Sequence, residues 1–177
     1  MRVLLFGIQG SGKSTIGTYI AEKFGVPFVS TGDIFRKLRE EDSETGKLVK
    51  PLIDQGKFVP DELTMKIVNQ RLREGDAAAG FVLDGAPRNL TQEKLFKQKI
   101  DLVVVVNLDE EFAIKRLISR GRHDDFEQSI KNRLDWHKEN TVPLIKYFKS
   151  KGVETIEVDN TPSEEEVRKN LDELLKN

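Results

Sequence analysis

Five short strand-like runs alternate with helical stretches along the chain, and the first run leads directly into a glycine-rich loop. These two observations predict an α/β fold of three layers, with helices covering both faces of a five-stranded parallel sheet. A third supports it: residues 102–108 are apolar on both faces, as a central parallel strand requires. The runs lie at residues 2–6, 26–29, 80–83, 102–108 and 153–158. At 177 residues, the chain fits one domain with a sizeable core.

The first strand carries Val3-Leu4-Leu5-Phe6 and opens onto Gly7-Ile8-Gln9-Gly10-Ser11-Gly12-Lys13-Ser14-Thr15. That segment matches the phosphate-loop pattern G-x-x-x-x-G-K-[ST] without a gap. Its glycines let the backbone curl so that successive N–H groups face an anion. Ile16, Tyr19, Ile20 and Phe24 follow at helical spacing, and the positive end of that helix dipole adds to the anion site. Lys13 is placed to reach terminal phosphates, and the Ser14 hydroxyl to bind a magnesium ion. The strand, loop and helix together predict a P-loop NTPase fold and a nucleotide-phosphate site.

Some fifty residues separate the second run from the third. Asp33 to Glu40, Thr45 to Asp54 and Asp61 to Glu74 read as helices punctuated by Gly46, Gly56 and Gly75, and are expected to stand out from the sheet as a small helical subdomain. After the fourth run, Asp109 starts a helix with Arg116 and Arg120 on one face, and Gly121 can end it. Arg122 follows at once. Asp124 and Glu127, at capping-box spacing, then open a helix that carries Arg133. Two helices joined by so short a turn run back alongside each other. The four arginines therefore converge, which favours an anion clamp over a solvated charged face. Thr161-Pro162-Ser163-Glu164 reads as a capping box with Pro at the first helical position, and Val167, Leu171, Leu174 and Leu175 as the buried face of the last helix.

Composition narrows the function classes. A net charge of −1 leaves no general basic surface for nucleic acid or an acidic membrane. No cysteine is present, so disulfides and thiolate metal sites are excluded. Met1-Arg2-Val3 runs straight into a strand without signal-peptide anatomy, and the longest apolar run, Leu102 to Val106, is far below the roughly 20 residues of a membrane span. The expectation is a soluble, cytoplasmic protein. Charged residues at 33% exceed the usual ~25%, which hints at a heat-tolerant source, while the ordinary Asn content points the other way.

Several segments, in order, resemble the adenylate kinases among the nucleoside monophosphate kinases. They are the phosphate loop, Ser30-Thr31-Gly32-Asp33-Ile34-Phe35-Arg36, Gly56-Lys57-Phe58-Val59, Phe81-Val82-Leu83-Asp84-Gly85-Ala86-Pro87-Arg88-Asn89-Leu90-Thr91-Gln92, and the arginine set. The resemblance implies one kinase domain over residues 1–177, with residues 30–59 as an AMP-binding subdomain. It implies that Gly10, Ser11, Gly12, Lys13, Ser14, Thr15, Arg116, Arg120 and Pro162 bind ATP, the Asp159 to Pro162 loop through its backbone. Thr31, Arg36, Lys57, Phe58, Val59, Gly85, Ala86, Pro87, Arg88, Gln92, Arg122 and Arg133 would bind AMP, with Arg88 on the phosphate and Gln92 on the adenine edge. Lys13, Arg88, Arg120, Arg122 and Arg133 would carry catalysis. Magnesium would arrive with ATP and meet Ser14 and Asp84, directly or through water; no zinc is implied. The partners are nucleotides, and a monomer is the family default.

Three departures stand out. Gln9 replaces the usual Pro and Ser14 the usual Gly of the phosphate loop. Ala86 replaces an aromatic, a change expected to alter packing more than AMP contact. The family's lid, a long subdomain or a shorter loop, is reduced to the turn near residues 120–123, since only Gly121 stands between Arg120 and Arg122. A neighbouring subunit replacing the lid would make an oligomer.

The expected reaction is ATP + AMP = 2 ADP. The acceptor is already an anionic phosphate oxygen, so no general base is needed. A UMP/CMP kinase or a broad-specificity monophosphate kinase is the nearest rival, and Gln92 favours adenine. A small-metabolite kinase would need a base, for which Asp33 is the candidate, and an inactive nucleotide-binding module is the remaining alternative. His123 reads as a solvated helix-start residue, and Trp136 and His137 as packing or surface. Asp125 is either an orienter of the arginines or a first-turn carboxylate.

Overall fold

The computed structural model describes residues 1–121 and 127–176. Five parallel strands form one sheet: β1 (Arg2–Phe6), β2 (Phe28–Ser30), β3 (Phe81–Asp84), β4 (Leu102–Asn107) and β5 (Glu154–Asp159), in the order β2-β3-β1-β4-β5. β4 is interior and paired on both edges, as its apolar run suggested, and β1 stands at the middle of the order. β2 begins two residues later than the sequence implied. Pro27 has no N–H for the ladder, although its carbonyl accepts from the Val82 N–H at 2.9 Å.

Strand alternation sorts the core into two layers. Leu4 and Phe6 of β1 share one layer with Leu83, Val103 and Val105, covered by Met65, Val68 and Leu72 from α4 (Asp61–Arg71) and its C-terminal cap and by Leu144 and Phe148 from α8 (Val142–Ser150). Val3 and Leu5 face the other, with Val82, Val104 and Val158, under α1 (Lys13–Phe24) and α9 (Glu164–Leu174). A third, smaller cluster joins Leu117 of α6 (Glu110–Arg120) to Ile130 and Leu134 of α7 (Glu127–Trp136), with Ile8 of the phosphate loop packed against them.

Three expectations change here. α4 does not project; its apolar face is buried in the main core. The connection from β2 instead passes through α2 (Thr31–Glu40) and α3 (Glu44–Asp54), which pack on each other. Gly46 is no break between helices. It sits in the first turn of α3, where a Cβ would lie 2.4 Å from the Glu41 carbonyl oxygen, so the close approach of α2 requires glycine. The last helix is capped by Ser163 with Glu166, not by Thr161, and Pro162 precedes the cap. Thr161 is engaged by Asp159, which accepts from its N–H (2.9 Å) and hydroxyl (2.6 Å). Of the expected buried face, Leu174 is 38% exposed, whereas Val167 and Leu171 are buried.

The remaining helix, α5 (Leu90–Leu95), follows β3, and a π-helical stretch, His137–Thr141, joins α7 to α8. The C-terminal ends of β1, β2 and β3 open on one cavity, the place where sheets of this kind bind ligands. Among the described residues no helix is long and apolar enough to cross a membrane.

Candidate active site

The phosphate loop turns off the central strand, and its glycines sit where a side chain would be strained: at Gly7 (φ +144°) a Cβ would lie 2.4 Å from the Val106 carbonyl oxygen. Gly10 (φ +85°) lies where a Cβ would sit 2.6 Å from the Ala113 carbonyl oxygen of α6. Gly12 (φ +90°) would put one 2.1 Å from Asn160 Nδ2. Asn160 holds the loop from outside: its Nδ2 donates to the Ser11 carbonyl at 2.7 Å, and its backbone N–H donates to the Asn107 carbonyl at 2.9 Å. The Lys13 ammonium donates to the Gly7 and Ile8 carbonyls, both at 2.8 Å, and so lies folded over its own loop. Burial lowers its pKa; Asp84 opposes that shift, and the charges of Arg88 and Arg120 add to it.

Opposite the loop stands a second wall built from the ends of β2 and β3. Thr31 is 1% exposed and its Oγ1 is buried without a hydrogen-bond partner. Arg36 donates to the Asp33 carboxylate one helical turn away. β3 ends at Asp84, whose Oδ1 is also buried and unpartnered, and Gly85 makes the turn at φ +91°. Arg88 Nε donates to the Gly85 carbonyl at 2.7 Å, and its guanidinium lies 5.5 Å from the Phe58 ring centroid. Phe58 in turn packs on Trp136 at 4.6 Å. Burial lowers the Arg88 pKa; Asp84 opposes this and Arg133 adds to it. Gln92, 4% exposed, accepts from the Arg88 N–H at 2.8 Å and donates to Asp61 Oδ1 at 2.7 Å.

The arginines bridge the two walls. Arg116 and Arg120 from α6 and Arg133 from α7 line the same cavity of about 440 Å³ as the loop and the second wall. Arg133 Nη1 donates to Gln9 Oε1 at 3.0 Å, and Arg116 Nη2 donates to the Asn160 carbonyl at 3.4 Å. Arg122, with His123 and Asp125, lies outside the described residues.

The cavity therefore gathers Gly10, Gly12, Lys13 and Ser14 with Thr31, Arg36, Lys57, Phe58 and Val59, and with Asp84, Gly85, Pro87, Arg88 and Gln92. Four expected residues lie off its wall. Ala86, 3% exposed, is part of the main core, where its small side chain packs. Ser11 is buried behind the loop, and Thr15 and Pro162 are exposed away from the cavity. Sequence reasoning offered Asn160 only as part of a backbone loop, and missed Gln9, Trp136, His137 and Thr141 as site residues. The last three sit three, four and eight residues after Arg133, a helical spacing that puts them on its face. Thr141 Oγ1 donates to the Arg88 carbonyl at 3.1 Å. Burial first, then the Lys13 ammonium, pushes His137 down to about 4, so it is neutral at pH 7.

Comparison with known proteins agrees with this geometry. A family model described as Adenylate kinase matches residues 5–153. The adenylate kinase of Mycobacteroides abscessus is 44% identical over 157 residues, covering 85% of this chain and 87% of the relative. That of Thermobifida fusca is 42% identical over 164 residues, covering 86% and 87%. That of Clavibacter michiganensis subsp. michiganensis is 41% identical over 181 residues, covering 96% and 90%. A phosphate loop facing a second wall that carries Arg36 and Arg88, with further arginines between, thus stands in a chain that belongs to the adenylate kinase family.

Proposed function

We propose that this protein is a phosphotransferase that catalyses reversible phosphoryl transfer from ATP to AMP, giving two molecules of ADP. The observation that carries this reading is the two-walled cavity: Lys13 and Ser14 on one side, Thr31, Arg88 and Gln92 on the other, and Arg116, Arg120 and Arg133 between. The γ-phosphoryl leaves ATP as the bond to its bridging oxygen breaks, and a new bond forms to an anionic oxygen of the AMP phosphate. No proton has to be removed, so the protein's task is positioning and charge neutralisation. Lys13, Arg120 and Arg133 stabilise charge on the transferred group, while Arg36 and Arg88 hold the acceptor phosphate in the fork geometry suited to it. Phe58 and Val59 offer a face and backbone to the acceptor nucleoside, and Gln92 reads its base edge.

Ser14 and Asp84 suit a magnesium ion. Asp84 Oδ1 is buried without a partner, and both residues line the cavity. No cluster of three or more His, Cys, Asp or Glu residues that could hold a metal occurs among the described residues, so phosphate oxygens would complete the shell, as magnesium commonly requires. The ion would supply charge neutralisation at the donor phosphates. A small-metabolite kinase is disfavoured because Asp33, the candidate base, is engaged by Arg36.

Only Gly121 separates Arg120 from Arg122 in the sequence, so we propose further that the donor side works without a separate lid. A coupled assay with ATP and each of AMP, CMP, UMP, GMP and shikimate tests the reading. Phosphorylation of AMP above the others is expected; nucleotide binding with no transfer to any of them would refute it.

A further inference from the structure

Gln92 is the group assigned above to the acceptor base, and its amide is fixed at both ends. Oε1 accepts from the Arg88 backbone N–H and Nε2 donates to Asp61 Oδ1. Asp61, the first residue of α4, also accepts from Asn89 Nδ2 at 3.2 and 3.0 Å through its two oxygens. Asn89 Oδ1 accepts from the Gln92 N–H at 2.7 Å, so the orientation of both amides is set by the same carboxylate. A backbone N–H only donates and a carboxylate only accepts, which leaves the Gln92 amide one satisfied orientation. Turned over, its oxygen would meet the Asp61 carboxylate and its NH₂ the Arg88 N–H.

A carboxamide has two N–H donors and two oxygen lone pairs. With one of each engaged by protein, one donor on Nε2 and one acceptor site on Oε1 remain. A 6-aminopurine presents the matching pair, an N–H donor at position 6 and an acceptor at position 1. A 6-oxopurine presents the inverse, an acceptor at position 6 and a donor at position 1. We propose that Asp61 is a specificity-determining positioning residue: by fixing the Gln92 amide, it makes the acceptor site take 6-aminopurine monophosphates and refuse 6-oxopurine ones. This rests on the reading that Gln92 faces the acceptor base. Asp61 acts through Gln92 and needs no contact with the nucleotide.

Inosine monophosphate is the suitable probe, because it inverts the two edge groups without adding the 2-amino group of guanine. The test measures kcat/KM for AMP and inosine monophosphate, with ATP as donor, in the wild type, Asp61→Asn and Asp61→Ser. The single tryptophan, Trp136, packs on Phe58 at the cavity wall, so its fluorescence gives a Kd for each acceptor without turnover. The wild type is expected to prefer AMP strongly. Loss of the carboxylate frees one end of the amide while the Arg88 N–H still holds the other. The inosine-to-adenine ratio should therefore rise about tenfold or more without full loss of preference. General damage to the fold lowers both acceptors together and leaves the ratio unmoved. An AMP-selective wild type with the same ratio in both variants, by rate and by Kd, overturns the proposal alone. A wild type that neither binds nor phosphorylates AMP overturns the acceptor-site reading and this proposal with it.

Discussion

On the acceptor wall, the recognition groups are held by other parts of the protein. Arg36 is engaged by Asp33, Arg88 by the Gly85 carbonyl and Phe58, and Gln92 by Asp61 and the Arg88 N–H. On the donor side, the phosphate loop is equally fixed, through Ile8 in the α6–α7 cluster and Asn160 on the Ser11 carbonyl, but Arg116 beyond it is exposed and donates to the Asn160 carbonyl over 3.4 Å. In the proposed reaction, the contrast is between a preorganised wall for the acceptor monophosphate and a preorganised loop for the donor phosphates. Preorganised groups cost no reordering when the ligand arrives, so selectivity should concentrate where the wall is rigid.

Substitutions on the two sides should differ accordingly. The largest effect is expected from Lys13→Ala and Arg88→Ala, each lowering kcat/KM by about 10²-fold or more, because both are buried cations that the proposed reaction places at the transferred phosphates. Near-normal steady-state turnover by Arg88→Ala would remove it from the acceptor site. Arg116→Ala, on the exposed side, should cost no more than about tenfold and act mainly on KM for ATP. Asn160→Ala should raise KM for ATP several-fold while KM for AMP stays unchanged, since its amide donates to the Ser11 carbonyl of the donor loop. Equal changes in both constants would mean that the loop does not depend on that bond.

A smaller effect concerns pH. His137 titrates near 6.5 when unfolded and at about 4 when folded. Its contribution is thus fully present above pH 6.5 and is lost as pH falls through 4, by at most about 1.4 kcal/mol per pH unit. Denaturant melts of the wild type and His137→Gln between pH 7 and 4 should show the wild type losing stability more steeply. Parallel curves would mean that His137 is not held neutral in the fold.

The parts legible in the sequence are those fixed by local chemistry. The phosphate loop was visible because tight backbone turns demand glycine, and the sheet because its inner strands are short apolar runs and β5 alternates polar and apolar residues between helices. The last helix was misread because two capping patterns overlap, Thr161 with Glu164 and Ser163 with Glu166; the reciprocal Ser163–Glu166 bonds and the engagement of Thr161 by Asp159 decide between them. The site contacts that escaped notice are made across long sequence separations: Gln9 to Arg133 and Asn160 to Ser11. Nothing in the local pattern marks such pairs. Ala86 shows the reverse: it belongs to a recognisable segment, yet its side chain packs into the core.

The most direct test of the contrast between the walls is one matrix of initial rates, with ATP, GTP, CTP and UTP as donors and AMP, CMP, UMP and GMP as acceptors. The rigid acceptor wall and exposed donor side predict strong preference for AMP among acceptors and weak preference among donors. Strict use of ATP by a monomer, combined with loose choice of acceptor, would contradict it.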